Sequence, residues 1–203
     1  MVGCGGKRRY LGAMTVLRLF PAPQQTQPLP GSYLDFRLHK RATHGDVLVY
    51  ANYIASLDGR IALPDLHGEQ GVPASLANPR DWRLYQELAA QSDIMLTSAR
   101  YFRQLAKGNA QDLLPVGAGG DYADLRDWRR AEGLPAQPDV AIISASLDIP
   151  QAALAKVQDR RVLVLTTAAS DTEKIARLEG LGVQVIIAGE RRVEGELLKR
   201  ALV

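Results

Sequence analysis

Four short apolar runs separated by helical patterns constrain this chain more than any other feature. Asp93–Thr97 (DIMLT), Val140–Ser144 (VAIIS), Arg161–Thr166 (RVLVLT) and Val183–Ile187 (VQVII) are rich in β-branched residues and show little alternation of polar and apolar positions. Strands of that kind are buried on both faces, as in a parallel sheet covered by helices. A fifth run, Val47–Ile54 (VLVYANYI), reads the same way and opens the patterned part of the chain. Between the runs, Asn78-Pro79 places a capping side chain before a proline at the first helical position, and Trp82, Tyr85, Leu88 and Ala89 recur at helical spacing. Ser170 and Glu173 have the spacing of a capping box, with Ile175, Leu178 and Leu181 on one face behind them. Val193, Leu197, Leu198 and Ala201 mark a terminal helix, and a further helix is expected near Leu125–Arg130 within the glycine- and proline-rich stretch 107–138. The alternation predicts an α/β layered domain with a mostly parallel sheet over residues 46–203.

The 203 residues suffice for one such domain with appendages. Residues 1–13 carry four glycines and three basic residues with little apolar pattern, and read as a disordered leader, with Met14 as the expected start. Residues 21–32 (PAPQQTQPLPGS) hold four prolines and read as an extended surface connector, so 1–45 forms a flexible leader and proline-rich arm. A single cysteine, Cys4, excludes an intramolecular disulfide framework and fits a reducing, cytoplasmic setting. No run of about 18 apolar residues exists, so no membrane span is expected. A net charge of +3, with basic residues scattered rather than in a stripe, argues against a nucleic-acid partner. A small-molecule ligand is the expected partner.

In parallel α/β sheets ligands bind beyond the carboxyl ends of the strands. That rule directs attention to Ala55–Gly59, Thr97–Tyr101, Ser144–Ser146 and Thr166–Ala168. The stretch Ala55-Ser56-Leu57-Asp58-Gly59-Arg60 is the most informative. Gly59 permits a tight turn with positive φ, while Ser56 and Asp58 offer a hydroxyl and a carboxylate. Asp and Gly are equally ordinary turn formers, so residue chemistry alone leaves a site and a plain turn both open. Gly117-Ala118-Gly119-Gly120 lacks the spacing and strand–helix context of a dinucleotide fingerprint and reads as a loop. His39, His44 and His67 are too scattered for a metal site, and no cysteine joins them. Ser144 and Ser146 lack a nucleophile-elbow context. Trp82 and Trp128 read as packing residues.

The stretch Tyr50-Ala51-Asn52-Tyr53-Ile54-Ala55-Ser56-Leu57-Asp58-Gly59-Arg60-Ile61-Ala62 resembles the opening of the RibD C-terminal domain family, the pyrimidine reductases of riboflavin biosynthesis. Asn78-Pro79, Gln91–Ser98, Val140–Ser144 with Leu147–Pro150, and Val162–Thr167 resemble further family stretches in the same order, so the resemblance covers about residues 47–202. It implies a three-layer α/β/α fold of dihydrofolate-reductase type. It also implies NADPH-dependent reduction of a phosphoribosylamino-pyrimidine, with hydride passing to the opened ribose and the protein supplying orientation and electrostatics. Carried over by position, Asp58 is the catalytic candidate, Ser56, Asp58 and Arg100 would bind substrate, and Ala55, Ser98, Tyr101, Ser144 and Thr166 would line the cofactor groove. No metal is implied, and a homodimer is compatible with the resemblance. The upstream deaminase signature of the pathway is absent.

The departures bear on substrate. Tyr101 stands where family members often have Thr, and no Asp-Asp-Pro follows; Asp112-Leu113-Leu114-Pro115 is the nearest substitute. The family's basic residue late in the first long helix falls near Ala89, leaving Arg80, Arg83, Arg100 and Arg103 as possible replacements. A glycine-rich element that follows the last helix in the family has no counterpart before Val203, so a fragment of a longer protein, or a shortened domain, is expected. These departures leave open a reductase of the same fold acting on another pyrimidine or a pterin-like substrate, and a non-catalytic relative.

Overall fold

The computed structural model describes residues 14–42, 46–64, 70, 71, 73, 76, 78–110, 114–117 and 119–203. The leader, with Cys4, lies outside them, as do His44, His67, Asp112, Leu113 and Ala118.

The four apolar runs form the sheet. Strands β5 (Ile94–Ser98), β6 (Asp139–Ile143), β7 (Val162–Thr166) and β8 (Gln184–Ile187) pair in sequence order, all parallel. All of β7 is buried, which explains its lack of alternation. On one face, Val140, Ile142, Val162 and Val164 pack against helices α2 (Ala99–Ala106), α4 (Gln151–Leu154) and α5 (Thr172–Gly180), through Phe102, Leu154 and Leu178. On the other face, Ala141, Leu163 and Leu165 meet Leu198, Ala201 and Leu202 of α6 (Gly195–Leu202). Helices on both faces of a parallel sheet make the three-layer α/β/α arrangement.

Helix α1 (Pro79–Ala90) begins as its sequence predicts, with Asn78 Oδ1 accepting from the Arg80 amide at 2.9 Å and proline at the first position. Its buried face differs from expectation. Trp82 and Tyr85 stack on each other at 5.1 Å, and the residues buried deepest include Arg83, Gln86 and Glu87. The reason is tertiary. Glu87 accepts from the amides of Gly31 (2.6 Å) and Tyr33 (2.9 Å), and Gln91 takes the Leu38 amide at 2.9 Å, so α1 supplies the partners that the N-terminal arm lacks. Helix α3 (Ala123–Ala131) packs beside α1 and carries Asp124 to Arg83.

The arm has more regular structure than its prolines predict. Thr15–Arg18 (β1) and Gln25–Pro28 (β2) form an antiparallel hairpin, followed by two 3₁₀ turns at Leu34–Phe36 and Leu38–Lys40. Proline stands at the end of β2 and in the connection, where no ladder amide is needed. A second short ladder joins β3 (Leu63–Pro64) to β4 (Gln70–Gly71).

Two expectations are corrected. Val47–Ile54 is not a strand: among the described residues it belongs to no ladder. A strand needs a neighbour to take its backbone hydrogen bonds, and β-branched composition cannot supply one. The segment is held by side chains instead. Asp46 pairs with Lys199 of α6 at 2.6 Å, and the half-buried Tyr50 donates to the Leu88 carbonyl at 2.9 Å. The second correction is the start of α5. Asp171, not Ser170, is the N-cap, accepting from the Glu173 and Lys174 amides at 2.9 and 3.2 Å. Leu181 lies just past the helix as its C-cap.

Candidate functional site

The parallel register brings three candidate positions to one edge of the sheet. Ser98 pairs with Ile143, and Ile143 with Leu165, so Ser98, Ser144 and Thr166 stand at the carboxyl ends of β5, β6 and β7 within one step of each other. Their hydroxyls face different demands. Ser98 is exposed, has extended backbone at the N-cap of α2, and makes no side-chain capping bond. Ser144 is buried, and its Oγ accepts from the Leu147 amide at 3.0 Å. That bond supports Leu147, a fully buried residue at φ 54°. Thr166 is fully buried, with Oγ1 2.6 Å from Ser170 Oγ. Ser170 Oγ also lies 3.0 Å from Thr167 Oγ1 and donates to the Ala145 carbonyl at 2.9 Å. Sequence reading did not find this Thr166–Thr167–Ser170 cluster as a unit. It ties the loop after β7 to the loop after β6.

The loop after β8 closes on the same edge. The amides of Ala168 and Ala169 donate to the carbonyls of Gly189 (2.9 Å) and Glu190 (3.2 Å). Gly189 has φ 145°, and a Cβ there would lie 2.0 Å from the Arg192 carbonyl oxygen, so only glycine fits.

Tyr101 is buried, its ring edge-on to Phe102 at 5.9 Å within the core against β6. Arg100 lies exposed in the first turn of α2. Of the four arginines that could replace the family's basic residue, it is the one for which the described residues provide no partner. Arg80 donates to the Thr15 carbonyl at 2.7 Å, Arg103 to the Asp148 carbonyl at 3.1 Å, and Arg83 is consumed by Glu87 and Asp124. The exposed Ser98 hydroxyl and the Arg100 guanidinium together suit a phosphate oxygen.

The Ala55–Arg60 stretch is a closed turn. The Ser56 amide donates to the Arg60 carbonyl and the Gly59 amide to the Ser56 carbonyl, both at 2.9 Å. Gly59 has φ 81°. The Ser56 hydroxyl donates to Asp58 Oδ1, and Arg60 Nε lies 3.1 Å from Asp58 Oδ2. The Asp58 carboxylate is thus oriented yet exposed, with 60% of its side chain open to solvent. Ala55 is exposed at the start of the turn. Among the described residues no hydrogen bond or ion pair joins this turn to the ends of β5–β7.

His39 packs edge-on to Trp128 at 5.0 Å and lies 3.1 Å from Glu132 Oε2. Among the described residues no three His, Cys, Asp or Glu side chains gather as metal ligands, and no helix is long and apolar enough to cross a membrane.

A helix-covered parallel sheet with its candidate ligand-binding residues along the carboxyl edge defines the class: a three-layer α/β/α domain. The RibD C-terminal domain model matches residues 47–202, and the chain belongs to that family. The fold is also that of a solved pyrimidine reductase-like protein from Corynebacterium diphtheriae, at 21% identity and a TM-score of 0.54, over 74% of this chain and 58% of that one. The present chain therefore spans less than two thirds of that structure. No curated protein matches the sequence significantly.

Proposed function

We propose that the chain acts as an NADPH-dependent reductase of a phosphoribosylamino-pyrimidine in riboflavin-type biosynthesis, in a reducing cytoplasmic setting. The observation that carries this reading is the family match over residues 47–202, combined with the alignment of Ser98, Ser144 and Thr166 along one strand edge. NADPH, when bound, supplies the hydride. The chain's own residues bind and orient. Ser98 and Arg100 hold a phosphate. Ser144 and Thr166 act through the loops they brace, since their hydroxyls are engaged internally. By its position in the family's turn, Ala55 would face the nicotinamide. Ser56 orients Asp58, and Asp58 contacts the substrate.

The burial of Tyr101 favours one variant of this reading. Where many family members have a threonine, this chain has a ring committed to the core. A pyrimidine or pterin-like substrate other than the pathway's own is the second reading, and product analysis with a panel of these heterocycles separates the two.

Fluorescence titration with NADPH, with NADH as comparison, tests the cofactor. Micromolar, NADPH-selective binding is expected. No binding by a folded chain would remove the reductase reading for these 203 residues.

A further inference from the structure

The N-terminal arm climbs helix α1. Its Leu38 amide meets Gln91 just past the helix, its Gly31 and Tyr33 amides meet Glu87, and its Thr15 carbonyl accepts from Arg80 in the first turn at 2.7 Å. Arg80 therefore holds the base of the β1–β2 hairpin at the helix's N-terminal end. That end is level with the carboxyl edge of the sheet. Only Gln91–Asp93 separate α1 from β5, so the two run antiparallel, and Met95 of β5 packs against the cluster that holds Ala89 and Ala90. Twelve helical residues rise about 18 Å and five strand residues about 16 Å, which sets Arg80 at the height of Ser98. The Ser56–Arg60 turn lies at the same end, since Ser56 and Arg60 line one hollow with Leu76, two residues ahead of the Asn78 cap. Past its base the hairpin carries a bare apolar tip, with Leu17, Leu19 and Phe20 55%, 63% and 87% exposed. Four residues of strand put that tip about 13 Å from the base, more than two strand spacings of the sheet.

We propose that the β1–β2 hairpin is a lid, which closes over the carboxyl edge of the sheet and lays Phe20 on the planar heterocycle bound there beside the Ser56–Arg60 turn. The proposal rests on the reductase reading of that edge. Ser98, Arg100 and Asp58 are exposed and address a ligand's polar atoms, which leaves the faces of its ring open. Phe20 supplies a flat apolar surface for one of those faces, and Leu17 and Leu19 widen it. The hairpin is suited to moving. It is anchored at its base by Arg80 and the Leu29–Met14 backbone bond, and a two-stranded ladder is marginal in water until it packs on something. Segments of that low local stability are the ones that serve as lids, and closure shields the reacting ring from water. An aromatic ring stacks on a heterocycle with little regard to its substituents, so the lid holds the ring and leaves the choice among heterocycles to the polar groups beneath.

Hydrogen exchange and stopped-flow NADPH fluorescence on the full chain test it, with NADPH alone and with NADPH plus 5,6-diaminouracil, the bare ring of the proposed substrate class. Exchange at the Leu17–Phe20 amides is expected to slow when the ligand binds. Protection with NADPH alone identifies the covered ring as the nicotinamide, and protection that needs the uracil identifies it as the substrate's. In whichever state shows protection, Phe20→Ser should speed NADPH release about tenfold with unchanged circular dichroism, and Phe20→Trp should restore slow release. NADPH binding with no protection in either state overturns the lid and leaves the reductase reading standing. So does a Phe20→Ser chain that releases NADPH like wild type. A folded chain that binds no NADPH overturns both.

Discussion

Arg83 and Glu87 form an ion pair at 2.8 Å with 2% and 0% of their side chains exposed, inside the face that α1 turns toward the arm. Arg83 extends the network to Asp124 at 2.5 Å, and Glu87 extends it to the Gly31 and Tyr33 amides. The charged pair is thus the joint between the arm, α1 and α3. Removing Glu87 leaves Arg83 paired with Asp124 but takes the acceptor from its Nε and from two amides, which costs about 2–4 kcal/mol. Glu87→Ala should lower the stability read by urea denaturation by that amount and accelerate hydrogen exchange at Gly31 and Tyr33. A loss below about 1 kcal/mol would show that water or Asp124 replaces Glu87 without penalty.

Glu132 closes a second joint. Hydrogen bonds from Lys40 and then His39, with the nearby charges of Lys40 and Arg37, hold its carboxyl below its ordinary value of 4.5, at about 2. A depressed carboxylate stabilises the fold above its unfolded pKa, and that contribution is lost as pH falls through the folded one. The Tm difference between wild type and Glu132→Gln should therefore be full above about pH 4.5 and should close as pH approaches 2. A difference independent of pH over that window would assign Glu132 a role in packing rather than charge.

At Gly189 the backbone is at φ 145°, and the Arg192 carbonyl lies where a Cβ would stand. Gly189→Ala must shift the loop after β8 and should destabilise by about 2 kcal/mol or more. Gly31→Ala serves as control. It has positive φ but nothing within 4 Å of the added carbon, so about 1 kcal/mol is expected. Equal losses in the two variants would mean that backbone conformation alone matters at Gly189.

Asp58 receives the Ser56 hydroxyl and the Arg60 guanidinium while keeping an open carboxylate. If it places the substrate, Asp58→Asn should lower turnover about tenfold or more with the fold intact, measured once a substrate is in hand. Unchanged kinetics would leave Asp58 as the corner of a turn and nothing more.

The β5–β8 strands were legible because each is a compact apolar run, and burial on both faces removes the need for alternation. The start of α1 was legible because Asn78 and Pro79 act within one turn of themselves. The start of α5 was displaced by one residue because Ser170 and Asp171 can both cap, and the choice went to Asp171 once the Ser170 hydroxyl was drawn into the Thr166–Thr167 cluster. The candidate site was legible as a set of strand ends, not as a set of available groups. Nothing local distinguishes Arg100, exposed in its helix, from Arg83, which is spent on two carboxylates contributed by α1 and α3.

By itself, then, the sequence determined the elements and their order: four apolar strands, the helices between them and the tight turn at Gly59, all set by interactions spanning a few residues. The tertiary structure decided the rest. Val47–Ile54 has the composition of a strand and lies outside every ladder, because a strand's hydrogen bonds belong to its neighbour. Helix α1 turns Arg83 and Glu87 inward because a distant arm brings amides that need an acceptor. Composition records what each residue can bond, and only the folded chain brings a partner within reach.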